Sequence, residues 1–304
     1  MELTDVLIES YLALVGPRDS ASRRAERAAW MRSRIAGGQL DLADIRALVD
    51  GEGEVSATIG LDLVSPSVAQ LYRLHLRDDA SAEERRIATS LVEEALARAR
   101  ELLAERVTTR IHDAHSFPEY QATLEQLGFV HLDRRVEFIA KLSELPAEGA
   151  SPFTWRSMAE LPRDAVLQLL DDVLRGDLSP ALHDSADEAL REMLKAPDLT
   201  NSEDCVHIGL LEGEAAALVI AQVQPSTGWA SITQLGLQSS FRGRGLGAYL
   251  HRHGFDMLRA QGGTYYRDGT SIANAPMRRL FEKHGCREYA RMTDWGAPLQ
   301  CGRG

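Results

Sequence analysis

Apolar positions in the second half of the chain fall into two periods. "LPRDAVLQLLDDVLRG", Leu161 to Gly176, and "SADEALREMLKA", from Ser185, repeat every three or four residues and predict amphipathic helices. "FTWRSM" predicts a short strand before them. "CVHIGLLEGEAAALVIAQVQ", Cys205 to Gln224, predicts two strands joined at a Glu-Gly turn, and "WASITQLGL" a third. A helix from about Gly245 to Gln261 follows, then the strand "GTYYRDGTS", then the helix "NAPMRRLFEKHG" with Gly285 as its cap. The strand "CREYARMTDW" ends the pattern.

The first half shows a similar order of elements, with helices in "ELTDVLIESYLALV" and "SASRRAERAAWMRSRIA". Strands are predicted in "DIRALVD", "EVSATIGLDLV" and "VAQLYRLHL". One long helix carries Ile87, Leu91, Ala95, Ala99 and Leu102 on a single face. "RVTTRIHD", the helix "EYQATLEQLG", and the strands "FVHL" and "RVEFIAKL" complete it. Leu74 in "LHL" matches Leu235 in "LGL", 161 residues on, and Gly128 matches Gly285, 157 residues on. Similar offsets in the same order of elements predict an internal duplication. "SELPAEGASP", Ser143 to Pro152, reads as the linker, giving expected domains 1–145 and 152–304. The fold class expected is α/β (mixed α+β), each domain a twisted mixed sheet flanked by helices.

The 304 residues carry a net charge of −11, a balance unsuited to gripping nucleic acid by its phosphates. Acidity mildly favours a cationic partner, although solubility alone explains it. No apolar run reaches the length of a membrane helix, and "MELTDVLIES" lacks the basic and apolar regions of a signal peptide. Cys205, Cys286 and Cys301 form no CxxC pair. A cytoplasmic protein, monomer or homodimer, is expected. His112-x-x-His115 and His251-x-His253 are poor metal pairs, the second because i and i+2 do not share a helix face. No metal is expected.

The chemistry concentrates in "LGLQSSFRGRGLGAYLHRHG", Leu235 to Gly254. A strand passing into a helix here exposes first-turn N–H groups and the positive end of the helix dipole, a site for phosphate. Glycines let a pyrophosphate approach the backbone, and Arg242 and Arg244 add positive charge. The spacing Gly243, Gly245, Gly247 does not fit G-x-G-x-x-G, and GK[ST] is absent.

Arg242-x-x-Gly245-x-Gly247 after "LGL" resembles the acyl-CoA pyrophosphate loop of the GNAT N-acetyltransferase superfamily. "NAPMRRLFEKHGC", Asn274 to Cys286, is similar to that family's second signature. The resemblance covers about Pro152 to Trp295; the first half shares only the architecture. It implies acetyl-CoA, or another acyl-CoA, as co-substrate and a small-molecule or peptide amine as acceptor. Pantetheine would pair with the backbone of Leu235 and Leu237, with Gly236 allowing a bulge. Backbone amides of Gly243, Arg244, Gly245, Leu246 and Gly247, with both arginines, would hold the pyrophosphate. Asn274 would contact the cofactor or a water, and Phe281 would flank the pantetheine arm.

Two departures stand out. "EERRIA" overlies "RGRGLG", so Arg86 and Ala88 replace two loop glycines and Phe117 replaces Asn274, which marks the first copy as degenerate. Phe281 occupies the position where the family commonly uses a Tyr as general acid. Tyr265, Tyr266, His284 and solvent are the substitutes. Asp268 is the best-placed base, unless it merely caps the turn "RDGT". The expected activity is direct attack of the amine on the thioester. The alternatives are a non-catalytic acyl-CoA-binding or regulatory protein and a scaffold that no longer binds coenzyme A.

Overall fold

The computed structural model describes residues 7–16, 20–37, 41–72, 74–77, 79–176, 185–195 and 199–299; Cys301 lies outside them. In chain order the elements are α1 (Ile8–Val15), α2 (Ala21–Ala36), β1 (Ile45–Val49), β2 (Val55–Ser65), β3 (Val68–Leu71) and β4 (His75–Leu76). Then come α3 (Ala82–Ala88), α4 (Ser90–Glu101), β5 (Arg106–His112), α5 (Pro118–Gln126) and β6 (Val130–Lys141). The second half contains β7 (Thr154–Ser157), α6 (Arg163–Arg175), α7 (Ala186–Lys195), β8 (Val206–Leu211), β9 (Glu214–Gln224) and β10 (Trp229–Leu237). It ends with α8 (Gly247–Ala260), β11 (Tyr265–Ser271), α9 (Ala275–Lys283) and β12 (Arg287–Pro298). The fold is mixed α/β, with helices flanking mixed sheet.

Two compact units emerge, residues 1–132 with 292–304, and residues 133–291. These differ from the expected division into 1–145 and 152–304. Each half's last strand belongs largely to the other unit, because that is where its backbone groups find partners. Within the second unit β6 pairs antiparallel with β11, from Arg135↔Ser271 to Lys141↔Tyr265. Within the first, β12 pairs with β5, from Met292↔His112 to Pro298↔Arg106. The linker at 143–152 therefore lies inside the second unit, where Glu148 accepts a hydrogen bond from His253 of α8 at 2.7 Å.

In the second unit the strand order is β6-β11-β10-β9-β8-β7, and only β10 and β11 run parallel. Strand β9 is buried on both faces, which explains its unbroken apolar run "AAALVIAQV". Leu218 and Ile220 pack against Val166, Leu169, Leu170 and Val173 of α6. Val219, Ala221 and Val223 belong to the opposite cluster, with Leu250, Phe255 and Leu258 of α8 and Phe281 of α9. In the first unit Ile59, Leu71 and Val107 of the sheet bury against Leu91, Ala95 and Ala99 of α4.

Three boundaries differ from the sequence reading. The long helix breaks into α3 and α4 at Thr89, whose hydroxyl donates back to the carbonyl of Arg86 at 2.7 Å. "VAQLYRLHL" divides into β3 and β4, and "FVHL" and "RVEFIAKL" merge into β6. The recurrence is close: α9 and β12 begin and end 157 residues after α5 and β6. Both helices close on a left-handed glycine, Gly128 at φ +83° and Gly285 at φ +85°. The residue after each glycine donates to an equivalent carbonyl, Phe129 to Leu124 and Cys286 to Phe281, both at 2.9 Å.

Candidate active site

Strands β10 and β11 pair only at Trp229↔Tyr265 and Ala230↔Tyr266 and then separate. Strand β10 carries a bulge between Ser231 and Gln234, so Ile232 and Thr233 lie opposite Ala221 alone. The sequence reading placed this bulge at Gly236, but Gly236 is in regular register with Leu218. Its glycine has another cause: a side chain there would collide with Val173 of α6.

The separation opens a cleft of about 490 Å³. Its walls include Leu235, Gly236, Leu237, Arg242, Asp268, Asn274 and Phe281, together with Arg135, Met277 and Leu280. Seven residues singled out from the sequence thus meet in one place.

Gly243 and Gly245 adopt φ +77° and +75°, a region L side chains rarely enter, and an added Cβ at either would point into open space. Helix α8 starts two residues later with Leu246 as N-cap, and no side chain caps it. Among the described residues the amides of Gly243, Arg244, Gly245 and Leu246 have no acceptor. An uncapped helix start behind a left-handed glycine turn is a ready anion site. Gly247 is the first residue of α8, and its Cβ would lie 3.2 Å from Leu280 Cδ1.

The two arginines already have work within the protein. Arg242 donates from Nε to the Leu237 carbonyl at 3.0 Å and from Nη2 to the Asp172 carbonyl at 3.1 Å, bracing β10 against α6. Arg244 donates to the Ser240 carbonyl at 3.1 Å and lies over the Phe241 ring. Asp172 accepts from the Ser239 amide at 2.6 Å, which holds its carboxyl below the ordinary range. Asn274 caps α9 by accepting from the Met277 amide at 3.2 Å, and it lines the cleft. Phe281 is buried, stacked on Phe138 with ring centroids 4.4 Å apart.

Asp268 lies within β11, so "RDGT" is part of a paired strand and not the turn that one sequence reading gave it. Its Oδ1 accepts from the Gly269 amide at 2.8 Å, and its Oδ2 accepts from the Ile232 amide at 3.0 Å. It also lines the cleft. Loss of hydration raises its pKa to about 6, against the lowering effect of those amides, the Tyr266 hydroxyl and Arg135.

The two tyrosines part company, as neighbours on a strand must. Tyr265 is 40% exposed and packs beside Trp229, away from the cleft. Tyr266 is fully buried and donates to Asp268 Oδ2 at 3.2 Å, with burial pushing its pKa well above the ordinary value. Neither tyrosine reaches the cleft as a replacement acid. His284 is buried at the C-cap of α9 and pairs with His251 at 3.0 Å. The sequence offers His251 only as half of a poor metal pair with His253. His253, two residues away, joins a separate network with Glu148 and His207. Among the described residues no group of three His, Cys, Asp or Glu side chains is arranged to hold a metal.

Residues 166–286 match the model of the Acetyltransferase (GNAT) family. This segment is a GNAT domain. The whole chain is similar in fold to a GCN5-related N-acetyltransferase from Sphaerobacter thermophilus, at TM-score 0.73 and 16% identity, covering 98% of this chain and 94% of that one. A tandem GNAT protein from the clavulanic acid biosynthesis pathway superposes at TM-score 0.62 and 15% identity, with 98% of each chain covered. A GCN5-related N-acetyltransferase from Kribbella flavida does so at 0.53 and 16%, covering 88% of this chain and 95% of that one. No curated protein matches the chain. The GNAT domain lies in the second unit with the whole of the cleft. No helix among the described residues is long and apolar enough to cross a membrane.

Proposed function

We propose that the protein is a cytoplasmic acyl-CoA-dependent N-acyltransferase that uses acetyl-CoA and passes its acyl group directly to an amine. The observation that carries this is one cleft lined by Arg242, which precedes the glycine loop of the uncapped helix α8, and by Asp268, a carboxylate whose pKa is raised to about 6. Bound acyl-CoA supplies the thioester carbonyl. The amides from Gly243 to Gly247 hold its pyrophosphate, and open space beside Gly243 and Gly245 suits that role. Arg242 shapes the loop through Leu237 and Asp172 more than it pairs with phosphate. Leu235, Leu237 and Phe281 flank the acyl arm.

Asp268 takes a proton from the ammonium form of the acceptor, leaving a neutral nucleophile. The departing thiolate draws its proton from solvent. The acidic chain favours a cationic small molecule or peptide as acceptor.

The first unit is read as a degenerate copy. The equal spacing of its last helix and strand supports this, as does the start of α3. There Ser81 accepts from the Glu84 amide and Glu84 accepts from the Ser81 amide, a capping box that fills the site an anion would need. Arg86 lies inside α3, paired with Glu83. Strands β3 and β5 stay paired over four positions, Val68↔Arg106 to Leu71↔Thr109, where β10 and β11 pair over two.

Thiol release from acetyl-CoA, measured against a panel of aminoglycosides, polyamines and basic peptides, tests the reading. Turnover lost in Asp268→Asn supports it. Tight acetyl-CoA binding with no turnover on any amine favours the non-catalytic reading that Phe281 suggests.

A further inference from the structure

Behind Asp268 runs a buried chain of titratable groups that the acyl transfer itself does not use. The Tyr266 hydroxyl stands between Asp268 Oδ2 at 3.2 Å and His251 Nε2 at 3.1 Å. On the far side of the ring, His251 Nδ1 faces His284 Nδ1 at 3.0 Å. All three links lie within one unit, and Tyr266, His251 and His284 are each less than a tenth exposed.

Each link needs one proton, so the links cannot be filled independently. When Asp268 is ionised, Tyr266 donates to it. The phenol oxygen must then accept from His251 Nε2–H. That leaves His251 Nδ1 bare, and His284 must donate from its own Nδ1. When Asp268 carries a proton on Oδ2 and donates to Tyr266, every donor reverses. Tyr266 donates to His251 Nε2, His251 donates from Nδ1, and His284 carries its proton on Nε2.

We propose that Tyr266, His251 and His284 form a two-state hydrogen-bond relay that positions Asp268 and couples its protonation to the tautomers of both histidines. The three are positioning residues, since none lines the cleft. The relay's catalytic meaning rests on the reading of Asp268 as the base; its hydrogen-bond logic does not.

The surroundings suit neutral rings. Burial and then its neighbour His284 hold His251 well below the ordinary histidine value. Burial, then Arg252 of α8 and Lys283 of α9, hold His284 near pH 4. The charged or titratable groups facing Asp268 are Arg135 of β6, Tyr266 of β11 and Cys286, whose thiol burial and then Asp268 push up to about 12. Between pH 5 and 8 only Asp268 in this set changes charge, so a tautomer transition there belongs to it.

The test is nitrogen-15 NMR of the histidine rings in the full chain, followed from pH 5 to 8 without any ligand. His251 and His284 signals are assigned by their loss in His251→Asn and His284→Asn. In the native protein His251 should pass from the Nε2–H to the Nδ1–H form as pH falls through about 6. In Tyr266→Phe, which removes one oxygen, and in Asp268→Asn, the tautomer should not change with pH. A native His251 that keeps one tautomer throughout, or a transition that survives in Tyr266→Phe, overturns the relay. If Tyr266→Phe does not fold, a transition surviving in Asp268→Asn does the same. The readout needs no turnover, so a failed relay and a failed enzyme reading remain separate results.

Discussion

Asp268 Oδ2 accepts a hydrogen bond from the backbone amide of Ile232 at 3.0 Å, across the point where β10 and β11 part. A parallel neighbour would normally satisfy that amide. Here a side chain does, so the strands can separate without leaving a buried donor unpaired. The group that stabilises the opening is also the carboxylate within it.

That dual role gives Asp268 a signature in stability. Its pKa is raised on folding, from the usual carboxylate range to about 6, so the native state binds the proton more tightly than the unfolded chain. Native stability is therefore favoured at low pH and is lost as pH rises from about 4 to about 6, by about 1–3 kcal/mol. Asp268→Asn lacks this dependence. Melting temperatures of the pair should drift apart by roughly 3–10 °C between pH 4 and 7, with native losing ground as pH rises. Parallel curves contradict the burial of that carboxylate.

The same ionisation governs rate. With Asp268 as base, kcat/KM should fall about tenfold per pH unit below about 6. A profile flat down to pH 5 means another group, or water, takes the proton.

Gly236 tests the geometry of the opening. Gly236→Ala pushes a methyl group into Val173, and overpacking of that kind costs about 1–3 kcal/mol. A thermal melt without ligand should show the loss. An unchanged melt indicates that α6 does not hold β10 as closely as described.

Arg242 separates bracing from phosphate pairing. Its removal frees the carbonyls of Leu237 and Asp172, so Arg242→Ala should lower stability by about 1–2 kcal/mol with no ligand present. An arginine used only for phosphate would leave the ligand-free melt unaltered and affect cofactor affinity alone.

Much of the second unit was legible in the sequence because its signals are local. Gly285 announced a left-handed helix cap, and "CVHIGLLEGEAAALVIAQVQ" announced β8 and β9 joined at a Glu-Gly turn. What escaped depends on contacts far along the chain. Gly236 was assigned to a bulge because a strand glycine has several uses, and only the approach of Val173 distinguishes them. The division into units was missed because strand exchange between β6 and β12 alters no local pattern. The sequence leaves Arg242 free for phosphate, and only the fold brings its fork to the carbonyls of Leu237 and Asp172. His251 offers in sequence only half of a poor metal pair, since nothing there brings it to Tyr266 and His284.

The central claim is that the loop before α8 binds the pyrophosphate of an acyl-CoA. It is tested most directly by thermal melts of the native protein and of Gly245→Glu, each with and without acetyl-CoA. Ligand at 100 times its dissociation constant stabilises by about 2.7 kcal/mol, a shift of several degrees. The account predicts that shift in the native protein and none in the variant, where bulk and negative charge fill the anion site. A folded native protein that does not respond to saturating acetyl-CoA, or a variant that responds equally, contradicts it.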